Sequence, residues 1–126
     1  MKKRKNKNLI NSFKYAFIGI YTGFKNERNM KIHFSIMTLV IIFGIIYKIS
    51  VAEWITCILL FALVISLELV NTSVENTIDL CSPEKNNLAK MAKDTAAGAV
   101  LVSAIASAII GLIIFIPKIF FWFDYK

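Results

Sequence analysis

The stretch from Thr95 to Pro117, "TAAGAVLVSAIASAIIGLIIFIP", contains no Asp, Glu, Lys or Arg. About 20 apolar residues suffice for a helix to cross the hydrocarbon core of a bilayer, and this run exceeds that length. Ile32 to Tyr47 and Trp54 to Leu67 are also free of those four residue types. Each reaches spanning length if Lys31, Lys48 and Glu68 sit at the interfaces, where long polar side chains extend towards water. Composition agrees. Hydrophobic residues make up 57% of the 126-residue chain, against roughly 45–50% in soluble domains. The expected fold is therefore all-α and integral to a membrane, a single domain with spanning helices at about 30–48, 53–80 and 88–117.

The formal net charge of +7 raises nucleic acid as a partner, but five of the fifteen basic residues lie in the opening "MKKRKNK". No basic face runs along a soluble helix, so no nucleic-acid partner is expected. Basic residues beside apolar spans act first as topology signals. Nine precede the first span and Lys85, Lys90 and Lys93 lie between the second and third, whereas only Lys48, Lys118 and Lys126 fall on the other side. A cytoplasmic N-terminus and an outside C-terminus in a cell membrane follow, with Trp54 and Trp122 near the outer boundary.

Residues 1–7 form a basic, Asn-rich arm, expected to be disordered. Over residues 8–26, Leu9, Ile10, Phe13, Phe17, Ile20, Tyr21 and Phe24 fall within an arc of about 120° on a helix, with Ile18 the exception on the polar side. The pattern predicts an amphipathic helix lying on the cytoplasmic membrane surface. A partly buried first spanning helix is the alternative. In the last span, Ala92, Ala96, Ala99, Ser103, Ser107 and Gly111 make a stripe of small residues that permits close helix packing in lipid.

The second span ends unusually. In "LVISLELVNTSVENTIDL", Glu68, Asn71, Glu75 and Asp79 fall at about 0°, 300°, 340° and 20° around a helix, on one face. A carboxylate as deep as Glu68 is unfavourable by several kcal/mol unless paired, hydrated or metal-bound. Oxygen ligands at this spacing suit a hard divalent cation such as magnesium, which commonly uses one or two carboxylates plus substrate phosphates. A further carboxylate can take a proton from a hydroxyl. Glu27 closes the surface helix, and Lys93 and Asp94 open the third span. Lys93 is placed to neutralise phosphate charge. Phosphoryl transfer at the membrane edge is the chemistry this set suits. No GxxxxGK[ST] loop is present, and the lone histidine, His33, argues against zinc hydrolysis; it reads as interfacial packing or a supporting hydrogen bond. Cys57 and Cys81 sit at opposite ends of one span and cannot pair within a chain.

These residues resemble the prokaryotic diacylglycerol kinase family. "ELVNTSVENTID" is similar to its ExxNxxxExxxD signature, "AKDTAAGAV" to its AKDxxxAAV segment, and "NERN" at 26–29 to its acidic site before the first span. The "ERNMKIH" form looks more like the Gram-positive branch, mostly undecaprenol kinases. Positions 95–97, Thr-Ala-Ala, depart from the pattern. The resemblance implies a homotrimer with active sites shared between chains, ATP as co-substrate and Mg2+ as cofactor. It implies Glu68 as the general base, Asn71 as an orienting group, Glu27 and Glu75 as metal ligands, and Lys93 and Asp94 as ATP contacts. Asp79 would support the nucleotide region, with Tyr15, Glu84, Lys85 and Asn86 beside the nucleotide. The lipid alcohol would be undecaprenol, with diacylglycerol as the alternative. A small proton-coupled transporter and a non-catalytic assembly subunit are the readings from other classes; the first needs its acid near mid-membrane rather than at one edge.

Overall fold

The computed structural model describes residues 9–84 and 86–124, with the side chains of 122–124 excepted. The N-terminal arm, Lys85, Lys126 and the Trp122 side chain lie outside it. Four helices follow in chain order: α1 (Leu9–Asn26), α2 (Arg28–Ile46), α3 (Val51–Cys81) and α4 (Asn87–Asp124). Three of them, α2, α3 and α4 through Phe121, are long and apolar enough to cross a membrane. Large apolar side chains such as Ile42, Leu59, Val102 and Ile113 are exposed along them, as lipid- or partner-facing helices require. Among the described residues the protein is all-helical, with three helices that could span a membrane.

Several hydroxyls on the helices are satisfied locally, as a low-dielectric surrounding favours. The Ser35, Thr38, Thr56, Thr72, Thr95 and Ser107 hydroxyls each donate to the carbonyl one turn back. Each helix break also has an identifiable cause. Between α1 and α2, Glu27 is extended (φ −92°, ψ 124°), so the ladder stops and the chain turns. Gly23 sits at this bend because a Cβ there would come 2.9 Å from Leu69 Cδ2; its hydrogen side chain lets α1 approach α3. Phe24 and Phe34 meet edge to face across the bend, with centroids 5.1 Å apart.

The turn from α2 to α3 is a Schellman motif. Ile49 N donates to Gly44 O and Lys48 N to Ile45 O, with Lys48 in the left-handed region at φ 50°, as this cap requires. A capping box then opens α3: Ser50 Oγ accepts from Glu53 N at 3.3 Å, and Glu53 Oε2 accepts from Ser50 N at 2.6 Å. The Trp54 ring lies over Gly44, where a Cβ would come 2.7 Å from it.

The most extensive packing is between α3 and α4. Two ion pairs show that they are antiparallel. Lys118 Nζ lies 3.1 Å from Glu53 Oε2 at one end, and Lys93 pairs with Asp79 at the other. α4 runs past the expected end near 117. Pro117 lies inside it; its φ suits a helix, although it removes one ladder donor, and the Lys118–Glu53 pair ties the continuing segment to α3. Of the small-residue stripe, Ser103 is buried and Ser107 partly so, while Ala92 and Ala99 are exposed. Burial along the stripe is deepest at Ser103, and Val100 and Ile114 continue the buried face of α4 to either side.

Candidate functional site

The acidic face of α3 falls into two parts. Glu68 is 1% exposed and Asn71 6%, both on the side turned towards α2 and α4. They line a cavity of about 210 Å³ together with Asn29 and His33 of α2 and Val100 and Ala104 of α4. Among the described residues, neither Glu68 Oε1 nor Oε2 has a hydrogen-bond partner, and Asn71 Oδ1 has none. The Asn71 amide nitrogen instead donates to Glu75 Oε1 at 3.0 Å. An unpartnered buried polar group is unfavourable by about 1–3 kcal/mol, more when charged. These oxygens are placed against that penalty, the mark of a site awaiting a ligand.

The groups around Glu68 come from three directions. His33 and Asn29 of α2 act on its charge, as do Glu27 from the α1–α2 bend and Glu75 one face-turn along α3. Glu27 caps α2 without using its carboxylate, which makes no cap hydrogen bond. Glu27 therefore offers uncommitted hard oxygens, and Glu75 a second oxygen beyond the one held by Asn71, near a third carboxylate. That donor set fits a magnesium ion whose remaining ligands are phosphate oxygens and water. Among the described residues no group of three or more His, Cys, Asp or Glu side chains closes around one point, so protein ligands alone would not complete the shell.

The second part lies further along α3. From Glu68 to Asp79 is about 16 Å along the axis at 1.5 Å per residue. There a cavity of about 440 Å³ is lined by Asp79, Ser82, Glu84, Asn86, Lys90 and Lys93, among others. Of the expected nucleotide residues it gathers Asp79, Glu84, Asn86 and Lys93. Tyr15 and Asp94 are exposed and line neither cavity. Lys85 lies outside the described residues. The Lys93 ammonium is engaged with Asp79. Asn86 Oδ1 accepts from Leu88 N at 2.8 Å, which starts α4 and holds the cavity rim.

Sequence reasoning gave no site role to Asn29, Ser82 or Lys90, and read His33 as interfacial packing or a supporting hydrogen bond. Asn29 and His33 are four apart on α2, hence on one face; two polar groups so spaced at the mouth of an apolar span were the available signal. Below His33 an apolar groove of about 490 Å³ continues between α2, α3 and α4, past Met37, Val64, Gly111 and Ile114.

Comparison with known proteins agrees with this geometry. Residues 14–115 match the sequence profile of the family described as prokaryotic diacylglycerol kinase. The chain is 42% identical over 123 residues to an undecaprenol kinase of Bacillus subtilis (strain 168), covering 94% of this chain and 100% of that one. It is 38% identical over 114 residues to a diacylglycerol kinase of Synechocystis, covering 89% of this chain and 65% of the relative. A diacylglycerol kinase of Haemophilus influenzae is 32% identical over 105 residues, covering 83% of this chain and 86% of that one. Matched along most of its length by the family profile and by relatives that are lipid kinases, the protein belongs to the prokaryotic diacylglycerol kinase family.

Proposed function

We propose that this lipid phosphotransferase is an undecaprenol kinase, transferring the γ-phosphate of ATP to the terminal hydroxyl of undecaprenol at the inner face of the cell membrane and so recycling the lipid carrier of cell-wall assembly. The observation that carries the reading is the buried, unpartnered carboxylate of Glu68, facing a cavity that opens into an apolar groove. A hydroxyl on a hydrocarbon chain is the ligand such a place suits. The choice of undecaprenol rests on the end-to-end match to the Bacillus enzyme; diacylglycerol is the second reading, supported by the other two relatives.

Depth in the bilayer supports the same arrangement. α2 has 19 residues, about 28 Å at 1.5 Å per residue, close to the ~30 Å hydrocarbon core. The bend at Glu27 then marks the inner boundary, and α1, with its amphipathic pattern, lies along the surface there. Glu68, opposite Asn29 and His33, sits at that boundary. The remainder of α3 reaches Cys81 on the aqueous side, where the distribution of basic residues puts the cytoplasm and the N-terminus, leaving the C-terminus outside.

Mg-ATP enters from the cytoplasm and the lipid alcohol from the bilayer. Glu68 accepts the hydroxyl proton as the lipid oxygen bonds to the γ-phosphorus; the bond to the β–γ bridging oxygen breaks, and ADP leaves. The proton passes from Glu68 to water after release of the lipid phosphate. Phosphoryl transfer depends mainly on positioning and charge neutralisation. Glu27 and Glu75 would hold magnesium, which when bound neutralises phosphate oxygens. Asn71 orients Glu75, Lys93 exchanges Asp79 for phosphate, and Asp94, Tyr15 and the 84–86 segment flank the nucleotide. The broad exposed apolar faces of the single chain support assembly into a homotrimer with shared sites.

The test is a lipid panel. Purified protein in detergent micelles is given labelled ATP with undecaprenol or diacylglycerol, with magnesium omitted in a parallel set. Undecaprenol turnover well above that of diacylglycerol, lost without magnesium, is expected. Equal or faster turnover of diacylglycerol would transfer the assignment to the second reading.

A further inference from the structure

Among the described residues, the polar cavity at Glu68 and the apolar groove share only two lining residues, His33 and Ala104. His33 alone of the pair has a polar side chain. A lipid whose chain lies in the groove and whose hydroxyl meets Glu68 must pass it.

Among the described residues, Glu68 lacks a hydrogen-bond donor at both carboxylate oxygens. The donors within its reach are few. The Asn71 amide is committed to Glu75 Oε1, and the Thr72 hydroxyl to the Glu68 carbonyl. Glu27 and Glu75 are acceptors only. Two groups on α2 remain, the Asn29 amide and the His33 imidazole, both lining the cavity beside Glu68 and neither in hydrogen-bond geometry with its oxygens. Asn29 is exposed and can be satisfied by water; His33 is half-buried one turn deeper, at the seam. A buried carboxylate left to rotate presents its oxygens to the hydroxyl at random, whereas one oxygen held by a donor fixes the direction of the other.

We infer that His33 is a positioning residue for this reaction: once the lipid headgroup is seated, its imidazole N–H donates to one oxygen of Glu68 and leaves the other aimed at the substrate hydroxyl. The inference rests on the reading of Glu68 as the base. It makes the α2–α3 seam, rather than α3 alone, the place where the hydroxyl is set.

The experiment compares wild type, His33→Leu, His33→Gln and Glu68→Gln as full-length protein in micelles with undecaprenol and labelled Mg-ATP. Leucine removes the donor and keeps bulk; glutamine restores an N–H donor. His33→Leu is expected to lower kcat on the order of 10- to 100-fold with KM for ATP within about twofold, and His33→Gln to recover most of the loss. Oligomer size and thermal midpoint, read on the same samples, are expected to match wild type. Wild-type kcat in His33→Leu, or equal loss in both His33 variants, overturns the role of His33. If Glu68→Gln retains turnover, the underlying assignment of the base has failed instead.

Discussion

The Asn71 side-chain amide donates to Glu75 Oε1 at 3.0 Å while its own carbonyl oxygen, buried beside Glu68, has no partner among the described residues. One side chain thus fixes the carboxylate on its aqueous side and presents an acceptor to the cavity on the other. Asn71→Leu frees Glu75 and removes that acceptor. Turnover is expected to fall on the order of 10- to 100-fold, the range seen when the partner of a ligating group is lost. A magnesium titration of lipid phosphorylation should show a higher requirement; an unchanged curve would reduce the bond to an ordinary contact between successive helix turns.

Lys93 and Asp79 pair across the α3–α4 connection. Both are partly exposed, so the pair itself should add no more than about 1 kcal/mol to stability. The exchange Lys93→Asp with Asp79→Lys keeps an ion pair and moves the cation. If the pair only joins the two helices, the double variant keeps its activity. With Lys93 acting on phosphate, KM for ATP is expected to rise at least tenfold in the double variant while the thermal midpoint stays near wild type.

Gly44 carries the Trp54 ring so closely that a Cβ would lie 2.7 and 2.8 Å from its carbons and 3.1 Å from Ile49. Gly44→Ala is expected to destabilise by about 1–3 kcal/mol through overpacking, read as a lowered thermal midpoint in detergent. In a Trp54→Leu background the same change should be much milder, because neighbours in contact are not additive. Equal effects in the two backgrounds would mean that the ring does not limit this site.

Lys48 holds a left-handed backbone at φ 50° in the Schellman turn. That conformation is unfavourable for a non-glycine residue by roughly 1–2 kcal/mol, partly offset by the lower chain entropy of lysine when unfolded. Lys48→Gly should therefore leave stability unchanged or raise it by up to about 1 kcal/mol, with lipid kinase activity intact. A marked loss of stability would show that the lysine head group at the membrane edge outweighs the backbone strain.

Much of this was legible in the sequence because lipid removes the usual ambiguity. An uncharged run such as Thr95 to Pro117 has few alternatives to a spanning helix, and Glu68, Asn71, Glu75 and Asp79 share a face by periodicity alone. The separation of the site into a polar cavity and a distal one was not legible. It depends on α2 leaning against α3 at Asn29 and His33, a tertiary contact that periodicity does not encode. The continuation of α4 past the uncharged run was not legible either, because the Lys118–Glu53 pair joins residues far apart in the chain. Ser82 and Lys90 were not legible as site residues because they come beside Asp79 and Lys93 only through the way the end of α3 meets the start of α4.

The central claim is that the buried Glu68 carboxylate takes the proton of a lipid hydroxyl. Glu68→Gln keeps the shape of the side chain and removes the base. Rates of labelled lipid phosphate formation from undecaprenol and Mg-ATP, measured for wild type and Glu68→Gln at matched oligomer content, test it most directly. A loss on the order of 100- to 10,000-fold, the range for removing a general base, with an unchanged thermal midpoint is the expected result. Lipid phosphate accumulating at the wild-type rate in the variant would contradict the account.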